Sequence, residues 1–538
     1  MYNQLVFEQD ARNQIFKGME KVAKAVAVSL GPKGKLAIIE NNLGAPIITK
    51  DGVSIAKAIN LEDPMENLGA SLIKEGASKS GKVGDGTSTT AVLGYAMARE
   101  GLKVLSSGAS SSDLRRGIEK AKDKAVECIK KHSSPVSGKN DITNVAKIAS
   151  NNDEKIGNLV SEAFERIGEN GTVTVAESPT TETYLDFTEG MNFSSGMISP
   201  HFITDMEKLR TEFKDAYVLV TDEIISSVPH IANLLNAVAQ SGKPLLIVAE
   251  DFGGEVIPTL VFNKLKGALN VCAVKAPYFG ETRKGFLEDL SVLTGGMMVS
   301  SSMGVKLENF TLQHLGHADK IIVSRDETTV IGGMGSDEAL QDRILYLKRL
   351  MEEETSEFTK EKIAERIAKL SGGVCVLNVY ADTEPEMKEL KDRIEDTLAS
   401  VRASMKDGIV LGGGVTLLKV AQELAENMPE MTEDEKIGYN IFVKALDEPI
   451  RQLAENAGLS ADLVVSKTKE SNNSKGGYNM ATGVWEDDLF DKVVDPTLVE
   501  ISALQNASSI VGLLLNTEVA ITNIKEKSEA PTMPMMRM

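Results

Sequence analysis

The pattern of apolar and polar positions divides the chain into three regions, of which the first is mainly helical. Apolar residues at helical spacing predict a first helix that ends at Gly31-Pro32. They are Ile15, Met19, Val22 and Val26. Short apolar strands are predicted at residues 36–39 and 47–48, and an Ala-rich stretch predicts a long helix over residues 87–105.

The middle of the chain changes character. Short β-rich runs at residues 217–220, 245–249 and 271–274 alternate with helical patterns at residues 231–241 and 255–266. This alternation predicts an inserted α/β domain. Two amphipathic helices follow, the second marked by Ile363, Ile367 and Leu370. From Lys388 the chain is helical again, interrupted by Gly412–Gly414 and a polar loop at 471–477, so the two ends are expected to build one domain around the middle.

Composition places the chain among ordinary globular proteins. At 538 residues it is expected to form two to four domains. Hydrophobic residues make up 42% and charged residues 25%. The net charge of -19 and the pI of about 5.0 argue against nucleic acid or an anionic membrane as the main partner. No apolar run is expected to reach the roughly 18 to 20 residues that span a bilayer.

Targeting signals and cysteines point to a reducing cytoplasm. The first ten residues lack the features of a signal or transit peptide. Cys128, Cys272 and Cys375 are widely separated in apolar surroundings, which is typical of reduced core thiols.

The strongest chemical signal is the string GDGTSTT at residues 84–90, directly before a predicted helix. Glycines admit phosphate close to the backbone, and a helix N-terminus attracts anions. An Asp-Gly turn followed by a Thr N-cap explains the string equally well. A second Gly-rich element, residues 29–34, is by itself more typical of a helix C-cap. Neither is a Walker A loop.

Two carboxylates stand out by their context. Asp51 lies in the string TKDG, and Asp396 lies on a predicted helix that leads to the triple glycine. A carboxylate that positions water is a normal requirement of ATP hydrolysis. On local sequence alone each is better interpreted as a turn or surface acid. His314 and His317 lack a third metal ligand and are interpreted as a surface pair.

Taken together, these elements resemble the group I chaperonin family, the GroEL type, over essentially the whole chain. The matching strings are LGPKG (30–34), GAPIITKDGVSIAK (44–57), GDGTSTTAV (84–92), EGM (189–191), GKPLLIVAED (242–251), VKAP-FG (274–280), LTGG (293–296), AKLSGGV (368–374), GGGV (412–415), GYN-AT (477–482) and DP (495–496).

The resemblance implies a multidomain fold with three parts. A mainly α-helical equatorial ATPase domain would comprise residues 1–131 and 407–538. A small α/β intermediate domain would comprise residues 132–188 and 375–406, and an α/β apical domain residues 189–374. Members of this family assemble as seven-membered rings, single or double, and bind a co-chaperonin of the GroES type.

The resemblance also implies an ATP site, in which Asp51 and Asp396 are the hydrolytic carboxylates and Asp85 holds Mg²⁺. A K⁺ ion is expected near Leu30 and Lys50. The residues implied to bind nucleotide are Ser29, Leu30, Gly31, Pro32, Lys50, Asp85, Gly86, Thr87, Ser88, Thr89, Gly413, Asn479, Met480, Ala481 and Asp495.

An apolar apical surface for non-native client proteins is implied in the same way. Its residues would be Met197, Ser199, His201, Phe202, Leu234, Leu235, Ile257, Val261 and Phe262. Taken singly, each apolar one is better interpreted as core. An adaptable apolar groove suits partners without fixed shape, and the co-chaperonin would compete for it.

Three positions depart from the family pattern. The tail, residues 528–538, lacks Gly-Gly-Met repeats, Ser195 replaces an arginine expected to pair near Glu384, and Ser460 replaces an acid expected to contact a second ring. An alternative function is therefore a single-ring or co-chaperonin-independent holdase that mainly prevents aggregation. A metabolic ATP-dependent enzyme is not favoured, because the sequence shows no small-molecule pocket with catalytic residues of its own.

Overall fold

The structure is a computed structural model that describes residues 3–40, 46–81, 83–168, 171–206, 208–300, 306–354, 356–471 and 473–523. The chain divides into a discontinuous unit, Met1–Glu162 with Ala381–Met538, and a continuous unit, Ala163–Tyr380. The helical, α/β, helical pattern predicts such an insertion. The finer division into three domains stays a prediction, and the Met-rich tail lies outside the described residues.

The elements are given in chain order. The N-terminal segment has β1 (Asn3–Phe7), α1 (Glu8–Ala27), β2 (Ala37–Ile39), β3 (Ile47–Thr49), α2 (Gly52–Ala58), α3 (Pro64–Gly81), α4 (Thr87–Leu105), α5 (Ser111–His132), α6 (Lys139–Ala149) and α7 (Glu154–Ile167). The continuous unit has β4 (Thr172–Glu177), β5 (Tyr184–Thr188), β6 (Gly190–Phe193), β7 (Thr211–Thr221), β8 (Ile224–Ile225), α8 (Ala232–Ser241), β9 (Leu245–Ala249), β10 (Asp251–Phe252), α9 (Val256–Leu265), β11 (Val271–Lys275), α10 (Gly280–Thr294), β12 (Met298–Val299), β13 (Gly316–Val323), β14 (Thr328–Gly333), α11 (Asp337–Glu353), α12 (Glu357–Gly372) and β15 (Val374–Val379). The C-terminal segment has α13 (Glu384–Asp407), β16 (Ile409–Leu411), α14 (Val415–Glu426), α15 (Glu433–Ala445), α16 (Glu448–Asn456), α17 (Ala461–Glu470), β17 (Gly477–Asn479), β18 (Val484–Glu486), β19 (Val494–Pro496), α18 (Thr497–Leu515) and β20 (Val519–Asn523).

The discontinuous unit is a helical assembly whose core draws on both ends of the chain. Met19, Met97 and Leu114 from the N-terminal segment are buried with Phe442 and Leu504 from the C-terminal segment. Strands β1 and β20 pair antiparallel. Burial of such apolar surface is the main favourable term in folding, so neither segment is expected to form this core alone.

The continuous unit is built on a mixed sheet in the order β11-β9-β7-β13-β14-β6, with β12 paired to β7. Strands β11, β9 and β7 are parallel, and β13, β14 and β6 continue the sheet antiparallel. A second sheet has the order β4-β15-β5. The α/β insertion predicted from the sequence is therefore present, with its first two predicted helices at α8 and α9.

Two sequence predictions need correction. Helix α1 ends at Ala27, four residues before the Gly-Pro pair, because Val28 to Gly34 form turns instead. Helix α18 is long and apolar enough to pass a test for membrane spans, with mean hydropathy 1.5, although 67% of that window is buried inside the protein. A core helix of a globular protein passes the same test. The expectation that no such run exists is therefore wrong.

The three cysteines are free. Cys272 and Cys375 are fully buried, as the prediction of core thiols requires, and burial raises the pKa of Cys272 to about 12. Cys128 is only half-buried, at the edge of the helical core.

Candidate functional site

Asp51 is fixed at the start of a helix. It is the N-cap of α2, where its carboxylate accepts the N–H groups of Val53 at 3.1 Å and Ser54 at 2.6 Å. Its own N–H donates to Thr49 Oγ1 at 2.9 Å. The neighbouring Lys50 is half-buried. The backbone of α2 thus holds the Asp51 carboxylate in one orientation. A turn acid at the surface would show the same hydrogen bonds.

The Gly-rich string forms the turn that starts α4. Gly84 and Gly86 have φ values of +97° and +88°, which strongly favour glycine. Gly86 is the N-cap of α4 and offers no side-chain cap, so the alternative with a Thr N-cap is wrong. Thr87 is buried, and its hydroxyl donates to the carbonyl of Ala77 at 3.3 Å. A helix start without a side-chain cap is a suitable site for phosphate.

Asp85 lies between those two glycines. Asp85 is exposed to solvent. Nevertheless, desolvation raises the pKa of its carboxyl, against the lowering effect of the Gly86 N–H at 2.6 Å, and the charge of Asp51 raises it further. Both properties fit a carboxylate in an open recess, surrounded by protein and still reached by water.

Three further segments contact this turn closely. A Cβ on Gly52 would lie 2.7 Å from Ser88 Oγ, and one on Gly86 would lie 3.0 Å from Val499 Cγ1. Gly84 lies against the backbone of α13 near Asp396. The starts of α2 and α18 and the middle of α13 therefore meet at the start of α4. Ser88 and Thr89 are half-buried there.

Asp396 is electrostatically coupled to this turn. Desolvation, followed by the negative charges of Asp51 and Asp85, raises the pKa of Asp396 to about 8. Asp392 and Glu395 on the same helix contribute in the same direction. The structure thus brings together the three carboxylates that the sequence could not show to be neighbours.

Asp495 extends this acidic cluster. Its Oδ2 accepts the N–H of Gly413 at 3.2 Å, across the antiparallel pair β16 and β19. Desolvation and the charge of Asp85 raise the pKa of Asp495. The first residue of the triple glycine is needed here, because a Cβ on Gly412 would lie 2.9 Å from the Asp495 carboxyl carbon.

Glu500 is the residue that sequence reasoning missed. It is buried in the first turn of α18, where desolvation and the charges of Asp495 and Asp85 raise its pKa well above the usual range. A signal for it exists: Glu500 is the only charged residue in the apolar helix Thr497–Leu515. A lone acid in a buried helix is costly unless it has a partner.

Two of the remaining nucleotide candidates, Leu30 and Met480, meet in one apolar cluster. Leu30 packs against a core that contains Met480 and Leu453. Gly31, with φ of +83°, has a Cβ position only 2.2 Å from Leu453 Cδ2. Ser29 is buried and donates to the carbonyl of Val26 at 2.8 Å. The loop after α1 and strand β17 are thus joined, with Pro32 half-buried beside them.

Asn479 is held in place by two hydrogen bonds. Its Nδ2 donates to Glu486 Oε1 and its Oδ1 accepts the N–H of Ala481, both at 3.0 Å. The next two residues differ in exposure: Met480 is buried and Ala481 is exposed. Only Ala481 of these two can therefore contact a ligand from solvent.

The acidic cluster suits a hard cation shared with phosphate oxygens. Among the described residues, no group of three or more His, Cys, Asp or Glu could hold a metal ion alone. Mg²⁺ typically needs only one or two carboxylates beside substrate phosphates, and Asp85 is the accessible one. After desolvation, the charge of Asp51 raises the pKa of both Asp85 and Asp396, and the charge of Asp85 raises that of Asp396 further, so negative charge accumulates there, which a cation would relieve. In the histidine pair that the sequence suggested, His314 Nδ1 accepts the N–H of Thr311 at 3.1 Å, and the ring of His317 lies against that of Tyr217.

The residues predicted to contact clients fall into three groups. Met197, Phe202, Leu234 and Leu235 are buried in the core of the continuous unit. Ile257 and Val261 are half-buried, and Phe262 is 55% exposed on the same helix. Ser199 is half-buried and His201 exposed in the loop that precedes β7. Without rearrangement, a partner can touch only the second and third groups: Ile257, Val261 and Phe262 on α9, and Ser199 and His201 in the loop.

Residues 22–525 match the TCP-1/cpn60 chaperonin family. The mixed helix and sheet architecture in more than one unit is compatible with that family. Family members are ATPases that assist protein folding, act on client proteins and form oligomeric rings. Since the match covers nearly the whole chain, this protein belongs to the TCP-1/cpn60 chaperonin family.

Proposed function

We propose that this chain is the subunit of a group I, GroEL-type chaperonin that binds non-native proteins and promotes their folding inside a ring cavity, driven by ATP. The observation that carries the proposal is the convergence of Asp51, Asp85 and Asp396 at the start of α4, a helix without a side-chain cap. Carboxylates beside an anion-binding helix start, of which Asp85 and Asp396 have raised pKa values, are suited to phosphoryl chemistry on a metal-bound substrate.

In this proposal the triphosphate contacts Lys50 and residues 84–89. The base and ribose would lie near Gly413, Asn479, Ala481 and Asp495. The apolar cluster of Leu30 and Met480 supports this arrangement, because it joins the loop after α1 to the segment that follows β17. An apolar floor with a few fixed polar groups is typical of small-molecule sites.

Mg²⁺ bound through Asp85 would supply charge neutralisation on the phosphates. Asp396 would accept the proton of the attacking water, since a pKa near 8 makes it a stronger base than an ordinary carboxylate. Asp51 would help orient that water, because two backbone N–H groups fix its carboxylate. A K⁺ ion near Leu30 and Lys50 belongs to the proposal; the Leu30 carbonyl already accepts Asn456 Nδ2 at 2.9 Å and has a second lone pair available.

Client binding would use the half-buried Ile257 and Val261 and the exposed Phe262 of α9, together with Ser199 and His201. The four buried residues of the predicted surface, Met197, Phe202, Leu234 and Leu235, would join it only after local rearrangement. ATP can release a client only if it binds more tightly to the state with lower client affinity. A GroES-type co-chaperonin would compete for the same surface.

We further propose a cytoplasmic, seven-membered ring. Whether one ring or two form depends on contacts at Ser460 and Arg451. Arg451 pairs within the chain with Asp462 at 2.6 Å, which leaves it less available to a second ring. This ion pair within the chain, together with Ser460 in place of an acid, favours the alternative of a single-ring holdase.

The deciding experiment compares steady-state ATP hydrolysis and refolding of a denatured client by wild type and Asp396→Ala. Loss of a general base is expected to slow hydrolysis by about 10²- to 10⁴-fold, with nucleotide binding retained. Asp407→Ala, at the exposed end of the same helix, is the control. Refolding that is equal in both proteins and without nucleotide would instead establish the holdase.

A further inference from the structure

Glu500 is a buried acid that the proposed hydrolysis does not use. It is only 6% exposed, in the first turn of α18, next to Val499, which contacts the Gly86 turn. Among the residues that the structure describes, none forms a hydrogen bond with its Oε2. A buried carboxyl in this position is costly unless it is neutral or paired, so its role must involve a nearby group.

The nearby group is Asp495, five residues earlier. The carboxyls of Asp495 and Glu500 lie within hydrogen-bonding reach of each other. Two ionised carboxylates at that separation repel strongly, and one shared proton turns the contact into a hydrogen bond. One of the two residues must therefore donate.

The environment of each carboxyl identifies the donor. Asp495 is half-buried and accepts the Gly413 N–H at 3.2 Å, which favours its charged form. Glu500 is more deeply buried and its Oε2 is unpartnered, which favours its neutral form. Glu500 is therefore the donor and Asp495 the acceptor.

We propose that Glu500 is a positioning residue, whose protonated carboxyl donates a hydrogen bond to Asp495 and holds that carboxylate in place for the nucleotide. The consequence for nucleotides rests on the function proposed above, in which Asp495 contacts the adenosine side. The Gly413 N–H and the Glu500 carboxyl then both donate hydrogen bonds to the Asp495 carboxylate, and together they fix its orientation. A group that binds ground state and transition state alike affects KM rather than kcat.

The test compares Glu500→Leu, which removes the donor, with Glu500→Gln, which retains a donor in a neutral side chain. Loss of one hydrogen bond is expected to raise KM for ATP by about three- to tenfold in Glu500→Leu, with kcat within about twofold of wild type. Glu500→Gln should restore KM toward the wild-type value. Gln505→Leu, an exposed position on the same helix, controls for the added apolar side chain.

Unchanged KM in Glu500→Leu, or an equal rise in both variants, would overturn the proposal. If Glu500 had a purely structural role, Glu500→Leu would lower thermal stability and kcat instead of raising KM alone. An infrared difference spectrum of wild type minus Glu500→Gln at neutral pH, without nucleotide, should show the carbonyl band of a neutral carboxylic acid. Its absence would mean that Glu500 is ionised and cannot donate. This readout does not need hydrolysis, so it separates failure of Glu500 as a donor from failure of the proposed ATPase.

Discussion

Gly84 lies directly against Asp396: a Cβ on Gly84 would be 2.3 Å from the Asp396 carbonyl oxygen. This contact joins the turn that starts α4 to the helix that carries the proposed base. The two residues are 312 positions apart in the sequence (396 − 84), and no side chain other than hydrogen fits between them. The position of Asp396 relative to Asp85 therefore depends on a glycine.

Gly84→Ala is expected to disturb both stability and hydrolysis. A left-handed backbone costs a non-glycine residue about 1–2 kcal/mol, and the clash with α13 adds to that cost. Gly108→Ala is a matched control, since Gly108 has the same φ of +97° and no atom of the described part of the chain lies within 4 Å of its Cβ position. Denaturant unfolding and ATP hydrolysis of both variants measure the difference. Equal losses in the two proteins would show that contact with α13 is unimportant.

The rate of hydrolysis should depend on the protonation of Asp396. Burial and the charges of Asp51 and Asp85 raise the pKa of Asp396 to about 8. A general base acts when deprotonated, so kcat/KM for ATP should rise with pH and level off above about pH 8. Initial rates across the pH range measure this profile. A profile that stays flat from about pH 6 to about pH 9 would argue against Asp396 as the base.

Asp396→Asn should make the protein more stable while it impairs hydrolysis. The pKa of Asp396 rises from about 4 in the unfolded chain to about 8 in the folded chain. Between these values the folded state retains a proton that the unfolded state releases, so wild-type stability falls as pH rises. Asparagine removes this penalty. The rise in the unfolding midpoint should therefore be larger at about pH 8 than at about pH 5, and the opposite order would contradict the shift.

Phe262→Ser should weaken client capture without destabilising the subunit. Phe262 is 55% exposed, so removing it forfeits contact with a client and little internal packing. Affinity for a denatured client is expected to fall about three- to tenfold. Leu345→Ser is the control, because Leu345 is 50% exposed on α11, outside the predicted surface. Equal losses in the two variants would mean that α9 has no special role.

Asp289→Asn should strongly destabilise the continuous unit. Asp289 is fully buried on α10 and binds Arg343 on α11 at 2.7 Å and Arg366 on α12 at 2.6 Å. Its replacement leaves the half-buried Arg366 without its counter-charge and Arg343 with Glu288 alone, at a cost of about 3–5 kcal/mol. Glu288→Gln is the control, because Glu288 also binds Arg343 but is partly exposed, and its loss should cost about 0–1 kcal/mol. Denaturant unfolding separates the two.

Periodicity and local motifs in the sequence were sufficient to predict individual elements. Helix α4 has the bounds that the Ala-rich stretch predicts, and β9 coincides with the apolar run at residues 245–249. These features depend on neighbouring residues along the chain, which is why a local pattern carries them. The end of α1 was predicted less well, because turns at Val28 to Gly34 compete with the helix.

The sequence alone determined, through its motifs, the family to which the chain belongs. Which residues bind phosphate, hydrolyse ATP or contact a client is a prediction from the same motifs. Only the tertiary structure decided that Asp51, Asp85 and Asp396 share one electrostatic environment and that Glu500 joins it through Asp495. It also decided that Phe202 is buried and Phe262 is exposed, although both are apolar. The physical reason is that burial and charge coupling depend on distances between segments far apart in the chain, and no local spacing encodes those distances.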